Sequence, residues 1–151
     1  MRDRLLAAGA GLLLLAGCST VQENAGTNAG VSNEGQDTVI ISGISGVKAF
    51  LDIDDDSKSL IAEIRALEEV EQIRKALDDS ETVKGNVNLT VPNFELVIHA
   101  DGAEQEYYLW LAEQHPEMLA MLMKPSNPDV FYSLSQESTQ SLTEVISAHR
   151  E

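Results

Sequence analysis

Two extended segments joined by a tight turn constrain the fold of this 151-residue chain more than any other feature. Apolar and polar residues alternate over residues 94–99, as they do in a strand with one face against a core. Asp101 and Gly102 form a turn pair that is typical of β-hairpins. Residues 106–111 then carry apolar side chains on both faces. The pattern predicts an antiparallel sheet in which the return strand is central.

The segments before this hairpin predict further strands and a first helix. Residues 38–53 are rich in β-branched side chains, and Gly43 and Gly46 indicate a bulge or kink between two extended pieces. Residues 60–66 are interpreted as a strand. Over residues 68–79 apolar side chains recur at spacings of three and four, which predicts a helix.

The segments after the hairpin repeat the same alternation of strands and helix. Residues 118–123 and 130–134 predict a second hairpin around a proline-containing loop. Ser135 is a candidate helix cap, followed by the apolar stripe of Leu142, Val145, Ile146 and His149. The expected fold class is α+β, with a mainly antiparallel sheet and two helices packed on one face.

The first eighteen residues resemble a bacterial lipoprotein signal. Arg2 and Arg4 precede an apolar run over residues 5–16 that is too short to span a bilayer as a mature helix. Leu15-Ala16-Gly17-Cys18 resembles the lipobox, in which the thiol of Cys18 receives diacylglycerol, and a palmitate chain is expected with it. Cys18 is the only cysteine, so it has no disulfide partner within the chain. An ordinary secretory signal and an uncleaved anchor are the alternatives.

The expected organisation is a signal peptide at 1–17, a lipidated cysteine and disordered polar spacer at 18–37, and one domain at 38–151. The spacer has few large aliphatic residues and would have a coil dimension of roughly 25 Å. The net charge of −15 disfavours nucleic acid and anionic headgroups, and it attracts cations or basic partners without choosing among them.

Three later segments complete a resemblance to a known group of proteins. They are the helical pattern over residues 70–77, Tyr108-Leu109-Trp110-Leu111, and Tyr132-Ser133-Leu134-Ser135 before a helix at 139–146. Together with the lipobox and spacer, they resemble the small lipoproteins of Gram-positive bacteria with a YhfM-like domain. The resemblance implies a fold and a compartment, namely the extracytoplasmic face of the cell membrane. It implies no activity and no catalytic residues.

The acidic turn at residues 52–56 is the sharpest local pattern that could bind a metal. Asp52, Asp54 and Asp56 alternate, and Glu63 lies at the distance of the last ligand in a calcium loop. Ser57, however, occupies the position at which a calcium loop needs glycine. A solvated turn is therefore favoured, and no metal site is expected.

Other candidate chemistry is weaker. Ser45 and Lys48 have the spacing of penicillin-recognising enzymes but need a helix there. The three histidines are too far apart for zinc spacing, and the acidic residues Glu104, Glu106, Glu113 and Glu117 are unremarkable in so acidic a chain. The aromatic residues Tyr107, Tyr108, Trp110 and Tyr132 are a possible ligand platform, although core packing is the commoner role for such residues.

The sequence thus favours a membrane-anchored, non-enzymatic binding or interaction module. Its expected partners are the membrane, through lipid on Cys18, and an envelope protein or small ligand whose binding residues are unknown. No cofactor is expected. A hydrolase of envelope polymers and a calcium-dependent module that uses residues 52–56 remain the alternatives.

Overall fold

The computed structural model describes residues 35–49 and 52–150, which form a seven-stranded sheet and two helices. The helices are α1 (Leu67–Asp78) and α2 (Gln136–Ala148). The strands are β1 (Thr38–Ile44), β2 (Lys58–Ile64), β3 (Glu81–Thr82), β4 (Phe94–Ala100), β5 (Ala103–Trp110), β6 (Met121–Lys124) and β7 (Asn127–Ser133). Every strand pair is antiparallel, which confirms the expected α+β class.

The strand order is β2-β1-β4-β5-β6-β7-β3, so β5 is central as its apolar character predicts. The turn between β4 and β5 has positive φ at both Asp101 (53°) and Gly102 (74°). Two left-handed central residues make a type I′ turn, which matches the twist of the flanking strands. The sequence-predicted hairpin is therefore confirmed in both position and turn chemistry.

Both helices pack against one face of the sheet and bury the main core. Val70, Ile73 and Leu77 of α1 share that core with Leu142 and Ile146 of α2. The contributing sheet residues include Val39, Ile41, Phe94, Leu96, Leu109 and Leu122. The helices also contact each other, and the Gln72 side-chain amide donates to Ser141 Oγ at 2.8 Å. On the opposite side of the sheet, called here the open face, no α-helix packs within residues 35–49 and 52–150.

The expected strand at 60–66 and helix at 68–79 correspond to β2 and α1 within one or two residues. Over 38–53 the structure differs from the expectation, because only Thr38–Ile44 is a strand and the following described residues form a loop with a short 3-10 helix at Asp55–Ser57. The pairing of β1 with β2 shifts register between Ile41 and Ser42, where Ile61 of β2 is skipped, so this irregularity does not lie at Gly43 or Gly46 as expected. Residues 1–34, including Cys18, lie outside the described residues.

Candidate functional site

A second, smaller core lies on the open face and covers part of it. Tyr108, Trp110 and Met123 are buried there. Ile53, from the loop before β2, and Leu89, from the loop before β4, pack against them. Trp110 Nε1 donates to the carbonyl oxygen of Thr90 at 2.7 Å, which fastens the second loop to the sheet. The indole is therefore a structural anchor and is 9% exposed.

The remainder of the open face has two transverse rows of side chains, set by strand register. In one row Ile40 lies opposite both Glu63 and Val97, and Val97 lies opposite Glu106. In the next row Ser42 lies between Leu60 and Glu95, and Glu95 lies opposite Tyr108. The rows alternate with the residues of the main core because successive strand residues point to opposite faces.

An ion pair with a buried carboxylate lies on the open face beside Tyr108 of the second core. Lys58 Nζ lies 2.6 Å from Glu95 Oε1, and the Glu95 side chain is only 7% exposed. Burial alone would lower the pKa of Lys58, but the hydrogen bond and charge of Glu95 outweigh it, so the pKa of Lys58 is raised. The ammonium is therefore held in its charged form beside the carboxylate.

Glu106 is the second carboxyl of this charged cluster, which we define as Lys58, Glu95 and Glu106. Burial raises the pKa of Glu106, and a hydrogen bond with the Glu95 carboxylate and the charge of that group raise it further. The pKa of the neighbouring Tyr108 is raised by burial. One ammonium thus faces two carboxyl groups in a partly desolvated setting.

The buried carboxylate of this cluster is engaged within the protein. A glycosidase keeps about 5–10 Å between its two catalytic carboxyls so that sugar or water fits between them. Here Lys58 Nζ lies 2.6 Å from Glu95 Oε1 and occupies that carboxylate. None of the five principal clefts in the described part of the chain is lined by Glu95.

The acidic turn is organised by internal hydrogen bonds. Asp54 caps the short 3-10 helix: its carboxylate accepts from the backbone N–H of Ser57 at 3.0 Å and from the Ser57 hydroxyl. These bonds lower the pKa of Asp54. Glu63 lies five residues after Lys58, the first residue of β2, which places it about 17 Å from the turn at the usual rise per strand residue. Its carboxylate forms an ion pair with Arg65 at 2.5 Å. The structure therefore does not assemble the calcium ligand set that the spacing suggested.

The other candidates are placed apart from one another. Ser45 and Lys48 lie in the loop after β1 and not on a helix. The histidines each face a separate glutamate, in the pairs His99–Glu104, His115–Glu117 and His149–Glu69. Glu113 pairs with Arg150. Among residues 35–49 and 52–150, no three His, Cys, Asp or Glu side chains are arranged to hold a metal ion.

The four aromatic candidates do not form one platform. Tyr107 and Tyr132 pack on the main core, whereas Tyr108 and Trp110 belong to the second core. Adjacent positions on a strand must point to opposite faces, so sequence proximity could not bring Tyr107 and Tyr108 together. The sequence also gave no indication that Lys58 and Glu95 pair, because their contact depends on β2 and β4 flanking the same strand, β1.

The clefts lie elsewhere on the domain. One of them, about 680 Å³, is lined by Asp37, His99, Asp101 and Glu104 among others. Another, about 330 Å³, runs between α2 and the loop after β5. Within the described residues, neither helix has the length and apolar content needed to cross a membrane.

Comparison with protein families places most of the described domain in a known family. The family model described as YhfM protein matches residues 45–151, which include all of the structure from the loop after β1 onwards. No curated protein and no solved structure matches the chain. The match supports the resemblance inferred from the helical, aromatic-strand and Ser135 segments.

Proposed function

The chain belongs to the YhfM protein family, and we propose that it is a lipoprotein held by lipid on Cys18 at the extracytoplasmic face of the cell membrane. The observation that carries the proposal is Leu15-Ala16-Gly17-Cys18 after an arginine-bearing, apolar leader. Lipidation would consume the only thiol in the chain. Because diacylglycerol carries two acyl chains, it can anchor the chain without a second membrane-attachment signal.

The two residues just before β1 are held against the domain, as expected at the end of a tether. The Gln36 side-chain amide donates to the Arg65 carbonyl at 3.0 Å, and Asp37 forms an ion pair with Arg74 at 2.8 Å. Asp37 Oδ1 also accepts from the Asp101 backbone N–H at 3.4 Å. These contacts fix the start of β1 beside the β4–β5 turn, and residues 19–35 remain to connect the lipid to the domain.

We propose further that the domain is a non-catalytic binding module for an envelope protein or small ligand. Two observations support this assignment. The buried carboxyl pair is engaged by Lys58, and the aromatic side chains that might have formed a catalytic or sugar-binding pocket are packed in the two cores. The side chains left accessible on the open face are suited to contact rather than catalysis.

The anchoring proposal is tested by replacing the lipid acceptor. Wild-type chain and Cys18→Ala are expressed in a bacterial host with an alkyne-bearing palmitate analogue. We expect label and detergent-phase partitioning for the wild type, and loss of both for Cys18→Ala. Ser19→Ala is the matched control and should keep the label. Equal membrane retention of wild type and Cys18→Ala, without label on either, would contradict the proposal.

The non-catalytic assignment is tested separately with envelope polymers. Purified full-length chain in nonionic detergent is incubated with peptidoglycan and with envelope polysaccharide, and the supernatant is assayed for released fragments. We expect no release above that of a heat-denatured sample. Release that disappears in Glu95→Gln would identify a hydrolase and reject the binding-module assignment.

A further inference from the structure

Resting on the proposed binding function, we propose that the uncovered part of the open face docks a protein segment in which lysine or arginine side chains flank aliphatic ones. This surface, called here the open patch, is defined by the aliphatic residues Ile40, Leu60 and Val97 and the acidic residues Glu63, Glu104 and Glu106. It lies on β2, β1, β4 and β5.

The aliphatic part of the open patch is continuous across the strands. Ile40 and Val97 are directly paired and are half-buried, whereas Leu60, one row away, is 68% exposed. Four adjacent strands span roughly 14 Å. Among the described residues, these three side chains are not part of the second core. A strip that crosses several strands is better suited to a polypeptide than to a small molecule.

The acidic residues of the open patch require a partner with positively charged side chains. Glu63 and Glu106 lie at the two ends of the row that contains Ile40 and Val97, and Glu104 lies next to Glu106 along the same face of β5. Glu63 and Glu104 are accessible, with side chains 43% and 63% exposed. A partner must therefore present cations beside an apolar centre, and chiefly on the side of β5, where Glu104 and Glu106 lie.

The local cations neutralise these carboxylates unevenly. Lys58 is held by the buried Glu95, and Arg65 pairs with Glu63, so Glu104 and Glu106 supply the acidic charge that is left for a partner. His99, which lies 3.5 Å from Glu104, adds charge only when it is protonated. Burial and the neighbouring Glu95 carboxylate both raise the pKa of Glu106, because both disfavour its charged form. A cation from a partner would relieve this repulsion where burial makes it strongest.

The test measures binding of a defined probe to the full-length chain in nonionic detergent. The probe is the extended peptide Lys-Val-Lys-Ile-Lys-Val-Lys, and calorimetry gives its Kd at two salt concentrations. We expect saturable binding that weakens as salt is raised and at least tenfold weaker binding to Glu104→Gln/Glu106→Gln. The matched control Glu68→Gln/Glu71→Gln removes the same charge from the exposed surface of α1 and should change the Kd less than twofold.

A second variant tests the apolar centre. Val97→Thr keeps β propensity while adding a hydroxyl, and it should weaken binding about tenfold without changing the salt dependence. Circular dichroism and thermal melting establish that each variant is folded.

Three outcomes would overturn the proposal. One is an equal loss of probe affinity in the patch variant and the α1 variant, which would mean that the probe is attracted to any acidic surface of the protein. Another is probe binding only after residues 19–34 are deleted, which would make that segment the occupant. The third is self-association that Val97→Thr abolishes, which would make the occupant a second copy. None of these results bears on lipid attachment, so failure here is distinguishable from failure at Cys18.

Discussion

Lys58 and Glu95 illustrate how a residue acquires a role that its sequence position does not reveal. Both flank hydrophobic strand positions, and both would ordinarily be assigned to solvent. Instead the Glu95 residue is 5% exposed, because the second core and the strands on either side surround it. A buried carboxylate is tolerated only with a partner, and Lys58 is that partner.

Removal of Lys58 should therefore be costly. We expect Lys58→Met to lower the free energy of unfolding by about 3 kcal/mol at pH 7, because it leaves Glu95 buried without a counter-charge. The double variant Lys58→Met/Glu95→Gln should recover most of the loss. Urea denaturation measures both, with the exposed Lys75→Met as control. Additive losses in the double variant would show that the pair is not coupled.

Glu106 should make stability depend on pH in the direction opposite to an ordinary paired carboxylate. Its pKa is raised above the usual 4.5 on folding, so its contribution to stability is complete below that value and is lost as pH rises through the raised pKa. We expect Glu106→Gln to be more stable than wild type at pH 7 and equal to it near pH 4. Denaturant titrations across this range measure the difference. The exposed Glu71→Gln corrects for loss of one charge, and an identical pH profile for the two variants would reject the explanation.

At the scale of elements, the two helices are joined through their ends as well as through the core. Ser135 Oγ accepts from the Ser138 backbone N–H at 3.1 Å, which caps α2, and the Ser135 hydroxyl donates to Asp79 at 2.7 Å. The Ser138 hydroxyl also donates to Asp79, at 3.0 Å. These hydrogen bonds lower the pKa of Asp79. The start of α2 is thus fixed to the end of α1.

Loss of this cap should affect both helices. We expect Ser135→Ala to destabilise the domain by about 1 kcal/mol, the usual value of a serine N-cap, and to increase amide exchange in the first turn of α2. Ser147→Ala, at an exposed position near the end of the same helix, is the matched control and should change stability by under about 0.5 kcal/mol. An effect of equal size in the two variants would argue against a capping role.

At the scale of the whole molecule, the net charge of −15 gives general attraction for cations, which must be separated from specific binding. The turn at 52–56 is part of that general acidity, since Asp54 is engaged with Ser57 and Glu63 is distant along β2. Acidic side chains that are near one another in sequence are therefore not a coordination shell here.

Calcium should accordingly leave the melting temperature unchanged. A site with a Kd of about 10 µM would add about 3 kcal/mol at 2 mM calcium and raise Tm by on the order of 10 °C. We expect 2 mM CaCl2 and 2 mM MgCl2 to give the same Tm at matched ionic strength. A calcium-specific increase that chelator reverses, and that Asp52→Asn removes, would restore the calcium-module hypothesis.

The sequence by itself determined the local elements of this protein. Periodicity, the Asp101-Gly102 turn and the Ser135 cap identify the helices and hairpins because each depends on residues within a few positions of one another. Antiparallel pairing and the central place of β5 follow from the same patterns.

Only the tertiary structure decided which distant side chains meet. The placement of β1 between β2 and β4 brings Lys58 to Glu95, and the alternation of faces along β5 separates Tyr107 from Tyr108. The short strand β3 and the partial covering of the open face likewise depend on long-range contacts. Strand order and loop packing are set by the competition of all apolar surfaces for one core, and no local segment of the sequence contains that information.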